Sequence, residues 1–283
     1  GQVYMRYRNI QCGYAESMYN DRAASLFSIN DAPPCAAGSH GSVQINYQRC
    51  LGKHFAFGIG VEMPNVSCSL AMDDDDDPDD VRTFVKGTYQ HMPDIPFYVQ
   101  YAWNDESHIR LSGVVRRITY YNYEALDNSN KMGWGLKLTS KVAAGKFDIL
   151  GVAHGGRAIA NYMSGSTDCE LDLVPDGEVE EVGNLRPTHS LGFVGGVQYN
   201  ITRKAFVSAQ YSWMHHYIRK YDCSATTTYD MQTLWANSVN VNAVYRISDL
   251  FSAGIEYVYA QRVRTSGVNM HNNRVFGMFM MNF

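Results

Sequence analysis

Charge is scarce in this chain of 283 residues. Asp, Glu, Lys and Arg together make only 18% of it, below the usual quarter for soluble domains. Long apolar runs are missing too. None approaches the ~20 residues that a membrane-spanning helix needs, and mean hydropathy is −0.29. No G-x-S-x-G, Walker loop or H-E-x-x-H occurs, so the common hydrolase, nucleotide-binding and metalloprotease signatures are absent. The cysteines, Cys12, Cys35, Cys50, Cys68, Cys169 and Cys223, contain no C-x-x-C pair. Neither a zinc or redox centre nor any other cofactor is therefore expected. A net charge of −4 argues against general nucleic-acid binding. No secretory leader is evident, so the chain is expected to be mature or truncated.

What the chain has instead is period-2 alternation over most of its length. Val43, Ile45 and Tyr47 alternate with Gln44, Asn46 and Gln48. Phe55, Phe57, Ile59, Val61 and Met63 alternate with Ala56, Gly58, Gly60 and Glu62. The same pattern recurs at 95–103, 108–116, 238–247 and 251–262, and further strands are read near 2–14, 17–27, 131–143, 146–158, 188–200 and 204–217. In the last strand, Val275, Gly277, Phe279, Met281 and Phe283 share one face, with Arg274 and Asn282 on the other. A strand closing on a final aromatic is typical of bacterial outer-membrane barrels. Several runs reach the ~9–11 residues of a tilted membrane strand, against a mode of ~5–6 in globular proteins. One face of each strand meets water, which dilutes the hydropathy. The small residues Gly58, Gly60 and Gly254 on the polar face suggest a lumen with little packing.

The connections alternate in length. Short ones are read at Tyr14–Glu16, Cys50–Gly52, Asp105–Glu106, Ala144–Gly145, Ile201–Arg203 and Ser248–Leu250. Long ones are read at 28–40, 64–94, 121–130, 159–187, 218–235 and 265–272. Outer-membrane barrels have short periplasmic turns and long outer loops. The fold expected is all-β: one transmembrane antiparallel β-barrel domain over 1–283, with thirteen strands. Bacterial single-chain barrels have even strand numbers, so an N-terminal truncation or a miscount by one is expected.

Three blocks resemble the DcaP-like trimeric porins, a sixteen-stranded family of Gram-negative outer membranes. The first is Tyr7–Gln11 followed by Ser25–Pro34. The second is Met92–Pro96 with Gln100-Tyr101 and Ser107–Ser112. The third is Gly254–Arg262 with Asn273-Arg274 and Phe283. The family has Gly where Ala260 stands, and six cysteines are unusual for it. The resemblance spans the chain and implies three missing strands, a homotrimer, and small anions, dicarboxylates included, as solutes. It also implies that loop 28–40 folds inward, with Phe27, Asp31, Pro33 and Pro34 narrowing the pore; an ordinary rim loop is the alternative.

Arg6, Arg8, Arg110, Arg116, Lys137, Arg246, Arg262 and Arg274 fall on the lumen parity, against Glu62 and Glu256. Rings of Arg and Lys suit an anion pathway, and an Arg fork suits carboxylates. The competing reading is that these cations only pair with wall and loop carboxylates. Loops 64–94, with the run Asp73–Asp77, and 159–187 hold more than half of the 28 acidic residues. They fit no EF-hand and are read as a solvated acidic rim. In the oxidising periplasm, Cys169–Cys223 is the first disulfide expected and Cys35–Cys68 the second; spacing alone does not fix the connectivity. His215 and His216 point to opposite faces. Trp103, Trp134, Tyr211, Trp213, Tyr257 and Tyr259 read as lipid-facing girdle residues.

The function expected is therefore passive diffusion of small, preferably anionic solutes, with the lipid bilayer and lipopolysaccharide as surroundings. The alternative is a structural or partner-binding barrel with acidic loops and a closed lumen. An outer-membrane enzyme built on Asn161, or on His154 with Ser164, has unconvincing spacing. A soluble all-β protein is the remaining class.

Overall fold

The computed structural model describes residues 2–30, 35–38, 41–66, 70–72, 82–84, 90–122, 125–163, 172–175, 184–218 and 233–281. Thirteen antiparallel strands form one sheet in strict sequence order. They are β1 (Val3–Tyr7), β2 (Ile10–Glu16), β3 (Gly41–Leu51), β4 (Phe55–Glu62), β7 (Ile95–Ala102), β8 (His108–Asn122), β9 (Asp127–Ala144), β10 (Phe147–Arg157), β13 (His189–Asn200), β14 (Ala205–His216), β15 (Thr233–Arg246), β16 (Phe251–Arg264) and β17 (Asn269–Met281). Two small hairpins, β5 (Leu70–Met72) with β6 (Arg82–Phe84) and β11 (Leu173–Pro175) with β12 (Leu185–Pro187), sit in the long connections beside one helical turn, α1 (Ala160–Met163). Among the described residues, β1 and β17 are the two edges of the sheet.

The wall is inverted relative to a soluble protein. Large apolar residues point outward and are half exposed, as with Ile45, Ile59, Leu111, Leu138, Ile149, Leu191 and Ile255. Polar residues at the alternate positions are buried inside, among them Gln44, Asn46, Ser112, Thr139, Ser212, Asn240 and Asn242. An apolar surface this extensive is not tolerated in water, but it matches a hydrocarbon layer, with backbone groups satisfied by neighbouring strands. Aromatic rings flank the band. Near the short turns Phe55 meets Tyr101 at 4.9 Å, Phe147 meets Tyr199 at 4.9 Å and Phe251 stacks on Phe279 at 5.5 Å. Toward the other rim Phe193 meets Trp213 at 5.7 Å and Trp213 stacks on His215 at 5.9 Å. Trp103, Trp134, Tyr211 and Tyr257 are exposed on the outer face, and His215 and His216 do diverge, His216 being buried against Ser190.

The first hairpin differs from the sequence expectation. Residues 2–14 are not one strand: the chain turns at Arg8 and Asn9, Arg8 having φ 53°, and Tyr7 pairs with Ile10. Residues 17–27, expected as a strand, belong to the connection between β2 and β3. Their apolar side chains are covered by the inside of the wall rather than by lipid, so alternation misled there. The strand total stays at thirteen because one strand was split and another lost. Connections 121–130 and 265–272 are shorter than expected because β8, β9, β16 and β17 keep pairing beyond the apolar band.

Close strand packing makes one glycine decisive. A β-carbon at Gly156 would stand 2.0 Å from the Trp134 carbonyl oxygen, whereas one at Gly151 meets nothing within 4 Å. Gly156→Val is expected to destabilise the barrel by about 1–3 kcal/mol or more, and Gly151→Ala by less than about 0.5 kcal/mol. The temperature at which unboiled protein loses its compact band in a detergent gel measures both.

Candidate pore and its inward loop

Residues 17–30 and 35–38 of the connection lie against the inner wall rather than over the rim. Tyr19, Ala24, Leu26 and Ala36 pack on the inward residues Val114, Leu150, Val152, Val194, Met214 and Ala236. Glycines on the lumen face make the seats. A β-carbon at Gly196 would come within 2.7 Å of Leu26, and one at Gly192 within 3.0 Å of Ala36. Gly58 and Gly254 likewise face Met18 and Ile29. These glycines therefore mark dense packing against the loop, contrary to the little-packed lumen expected from them.

Polar anchors fix the loop at three points. On the short-turn side Asp21 Oδ2 lies 2.8 Å from His108 Nε2 and accepts from Thr139 Oγ1 at 2.7 Å, with Arg110 3.9 Å from Oδ1. Burial raises the Asp21 pKa, but these donors and the Arg110 charge outweigh it and hold the carboxyl at about 2, so it is ionised at neutral pH. Arg110 also donates to the Met18 carbonyl and lies 3.7 Å over the Tyr98 ring. Lys137 Nζ donates to Asn20 Oδ1 at 2.9 Å and to the Ala37 carbonyl at 2.6 Å.

On the same side Glu256 on β16 receives residues 28–30 of the loop. Its carboxylate accepts from Ser28 Oγ at 2.8 Å, from the Ile29 and Asn30 backbone amides, and from Asn240 Nδ2 at 3.0 Å. Asn242 donates to the Phe27 carbonyl at 2.7 Å, and the Phe27 ring meets Phe206 edge-on at 5.6 Å. At the opposite level Arg116 is fully enclosed. It donates to Asp94 Oδ2 at 2.8 Å and to the Ala158 and Asn65 carbonyls, and lies 3.1 Å from Asp172 Oδ1. The Tyr162 hydroxyl bridges the Asp94 and Glu62 carboxylates, and Ser17 donates to Glu62 at 2.9 Å. Cavities of about 320 and 380 Å³ flank residues 20–22 of the loop.

No protein-family model matches the chain, and no curated protein matches it. Solved structures do. The crystal structure of the outer membrane channel DcaP of Acinetobacter baumannii superimposes with a TM-score of 0.78 at 16% identity, covering 100% of this chain and 74% of that one. The chain has the DcaP fold. OmpT of Vibrio cholerae, an outer membrane protein in its trimer form, is more distant. It has a TM-score of 0.56 and 10% identity, with 99% of this chain and 79% of that one covered.

Within the DcaP fold the eight cations singled out from sequence separate into distinct groups. Arg110, Arg116 and Lys137 are inside, Arg110 and Lys137 held by the loop and Arg116 by Asp94 and Asp172. Arg8 is not on a strand face but in the β1–β2 turn, over the Tyr7 ring at 5.4 Å. Arg246 is exposed at the end of β15, beside the turn to β16. Arg6 on β1 and Arg274 on β17 sit exposed on the edge strands, and Arg262 is half-buried on β16. Asp31, Pro33 and Pro34 of the expected constriction lie outside the described residues, as do Cys68, Cys169, Cys223, Ser164 and the run Asp73–Asp77. Cys35 contacts Ser212 Oγ at 3.2 Å. Asp21, His108 and Tyr162 were missed from sequence, because nothing local signals that a loop will reach them. The recurring lumen-face glycines were the available signal.

Two substitutions test the anchors. Glu256→Ala removes an acceptor whose hydrogen bonds contribute about 1.5–3 kcal/mol each, and is expected to free the loop tip and raise single-channel conductance in bilayer recordings. Arg116→Met leaves Asp94 and Asp172 buried without their cation. A loss of about 3–5 kcal/mol is expected, read as a lower unfolding temperature in detergent.

Proposed function

We propose that this chain forms an outer-membrane channel for passive diffusion of small solutes, with anions preferred, in a Gram-negative bacterium and as a homotrimer. The observation that carries the reading is the loop anchored inside an inverted β-wall, which narrows the lumen while leaving polar cavities beside it. Cations support the anion preference. The loop's carboxylate Asp21 is taken up by His108, Thr139 and Arg110. Arg6, Arg246, Arg264 and Arg274 form no ion pair among the described residues, and all lie on β1 or β15–β17, at the two ends of the sheet. Positive charge at a narrow, low-dielectric passage raises the local concentration of anions. In this reading the thirteen strands belong to a sixteen-stranded wall, and lipopolysaccharide surrounds it. The chemistry is diffusion, with no bond made or broken.

A closed, structural barrel is the second reading, favoured by the apolar packing of the loop on the wall. Planar-bilayer recording across a KCl gradient separates them. Threefold conductance steps with an anion-selective reversal potential, weakened by Arg6→Gln with Arg274→Gln, are expected. Threefold steps with cation selectivity would keep the channel and overturn the role of the arginines. A silent membrane with folded protein would establish the closed barrel.

A further inference from the structure

A second connection turns inward. After β10 the chain enters α1 on the side of the long connections. There Ile159, Tyr162 and Met163 are fully buried, in one cluster with Tyr19 and Ala36 of the inward loop. The Tyr162 ring meets the Tyr19 ring edge-on at 5.3 Å. Glycines again make the seats. A β-carbon at Gly38 of the loop would stand 2.4 Å from the Tyr162 carbonyl oxygen, and one at Gly192 of the wall 2.8 Å from Met163. α1 is thus a lid seated on the inward loop.

The polar hold on this lid is one hydroxyl between two carboxylates. Tyr162 Oη lies 2.9 Å from Asp94 Oδ2 and in hydrogen-bond contact with Glu62 Oε1. Glu62 and Asp94 are each 1% exposed, and their backbones pair with each other. A hydroxyl has one hydrogen, so Tyr162 donates to one carboxylate only. Burial and the two carboxylates push the Tyr162 hydroxyl well above its ordinary pKa, so it keeps that hydrogen. The other contact therefore takes its hydrogen from a carboxyl. Asp94 Oδ2 already accepts from Arg116 Nε at 2.8 Å, which marks Asp94 as the ionised member. Glu62 accepts from Ser17 Oγ at 2.9 Å on Oε1, and its Oε2 has no partner among the described residues. The remaining charge is Asp172, 3.1 Å from Arg116. With Glu62 ionised, three buried carboxylates would face one guanidinium, and an uncompensated buried charge is strongly destabilising.

We propose that Glu62 holds a proton which it donates to Tyr162, that this proton latches α1 onto the inward loop, and that its loss at rising pH releases the lid and widens the passage. Tyr162 in turn donates to Asp94, and Arg116 donates to the same carboxylate, so every contact in the chain has one hydrogen. A glutamate facing water is ionised at neutral pH, so the latched state binds one proton more than the released state. Rising pH therefore favours release, by up to roughly tenfold per pH unit for a single proton, and acid favours the latch. The widening of the passage rests on the channel reading above; the latch does not.

The test reads the lid and the passage separately, on the full chain in mildly acid and mildly alkaline buffer. Amide hydrogen exchange in detergent, corrected for the intrinsic rate at each pH, follows residues 158–163, and bilayer recording follows single-channel conductance. In the wild type, protection of the lid is expected to fall at least roughly tenfold from acid to alkaline buffer, with conductance rising alongside. Glu62→Gln, whose amide donates a hydrogen to Tyr162 at every pH, is expected to keep the lid protected in both. Tyr162→Phe keeps the ring and loses the hydroxyl, and is expected to show in acid the weak protection that the wild type shows in alkali. The heat-modifiable gel band verifies folding of both variants. Three outcomes would overturn the latch: equal protection of the wild type in both buffers, a pH response in Glu62→Gln as large as in the wild type, or a loss of protection spread over the wall strands. A lid that loosens with pH in a protein silent in both buffers would uphold the latch and overturn the channel reading.

Discussion

A backbone that crosses hydrocarbon must satisfy its own amides and carbonyls, and this constraint orders everything else in the molecule. Strand-to-strand pairing from β1 through β17 meets it with neighbours adjacent in sequence. Once the sheet is chosen, the pleat sends alternate side chains to opposite solvents. The outside becomes apolar and the inside polar, so the usual relation of burial to hydropathy is reversed. Gln44, Asn46 and Glu256 are buried while Ile45 and Ile255 are half exposed.

That reversal creates a second problem inside. A polar inner face near a loop must be hydrogen-bonded or hydrated, because a buried unsatisfied group costs about 1–3 kcal/mol. The loop 17–38 answers in both currencies. It offers backbone amides to Glu256, carbonyls to Lys137 and Arg110, and a carboxylate to His108 and Thr139. It also places Leu26 and Ala36 where Gly196 and Gly192 leave room. The anchors that hold the loop remove Arg110 and Lys137 from free service as pore cations, and Asp94 and Asp172 do the same for Arg116.

The wall was legible because each strand carries its own record of two solvents. Phe55 to Met63 and Val239 to Ile247 alternate without help from distant residues, and turn lengths sorted the two rims. The reading failed where the solvent was the protein itself. Residues 17–27 alternate like a strand, yet Met18 and Leu26 are covered by glycine-seated wall rather than by lipid. The lumen glycines were visible, but their meaning required knowing what faces them.

Sequence alone determined the all-β wall, eleven of its thirteen strands, the outward face of most of them and the parity of Arg110, Arg116 and Lys137. Alternation is a local property, so it survives without a structure. Tertiary structure alone decided which partners take up those cations and that Glu256 grips the loop tip. Each of these depends on pairs separated by tens to hundreds of residues, such as Ile29 with Glu256 or Met18 with Arg110. Only strand register and loop path bring such pairs together.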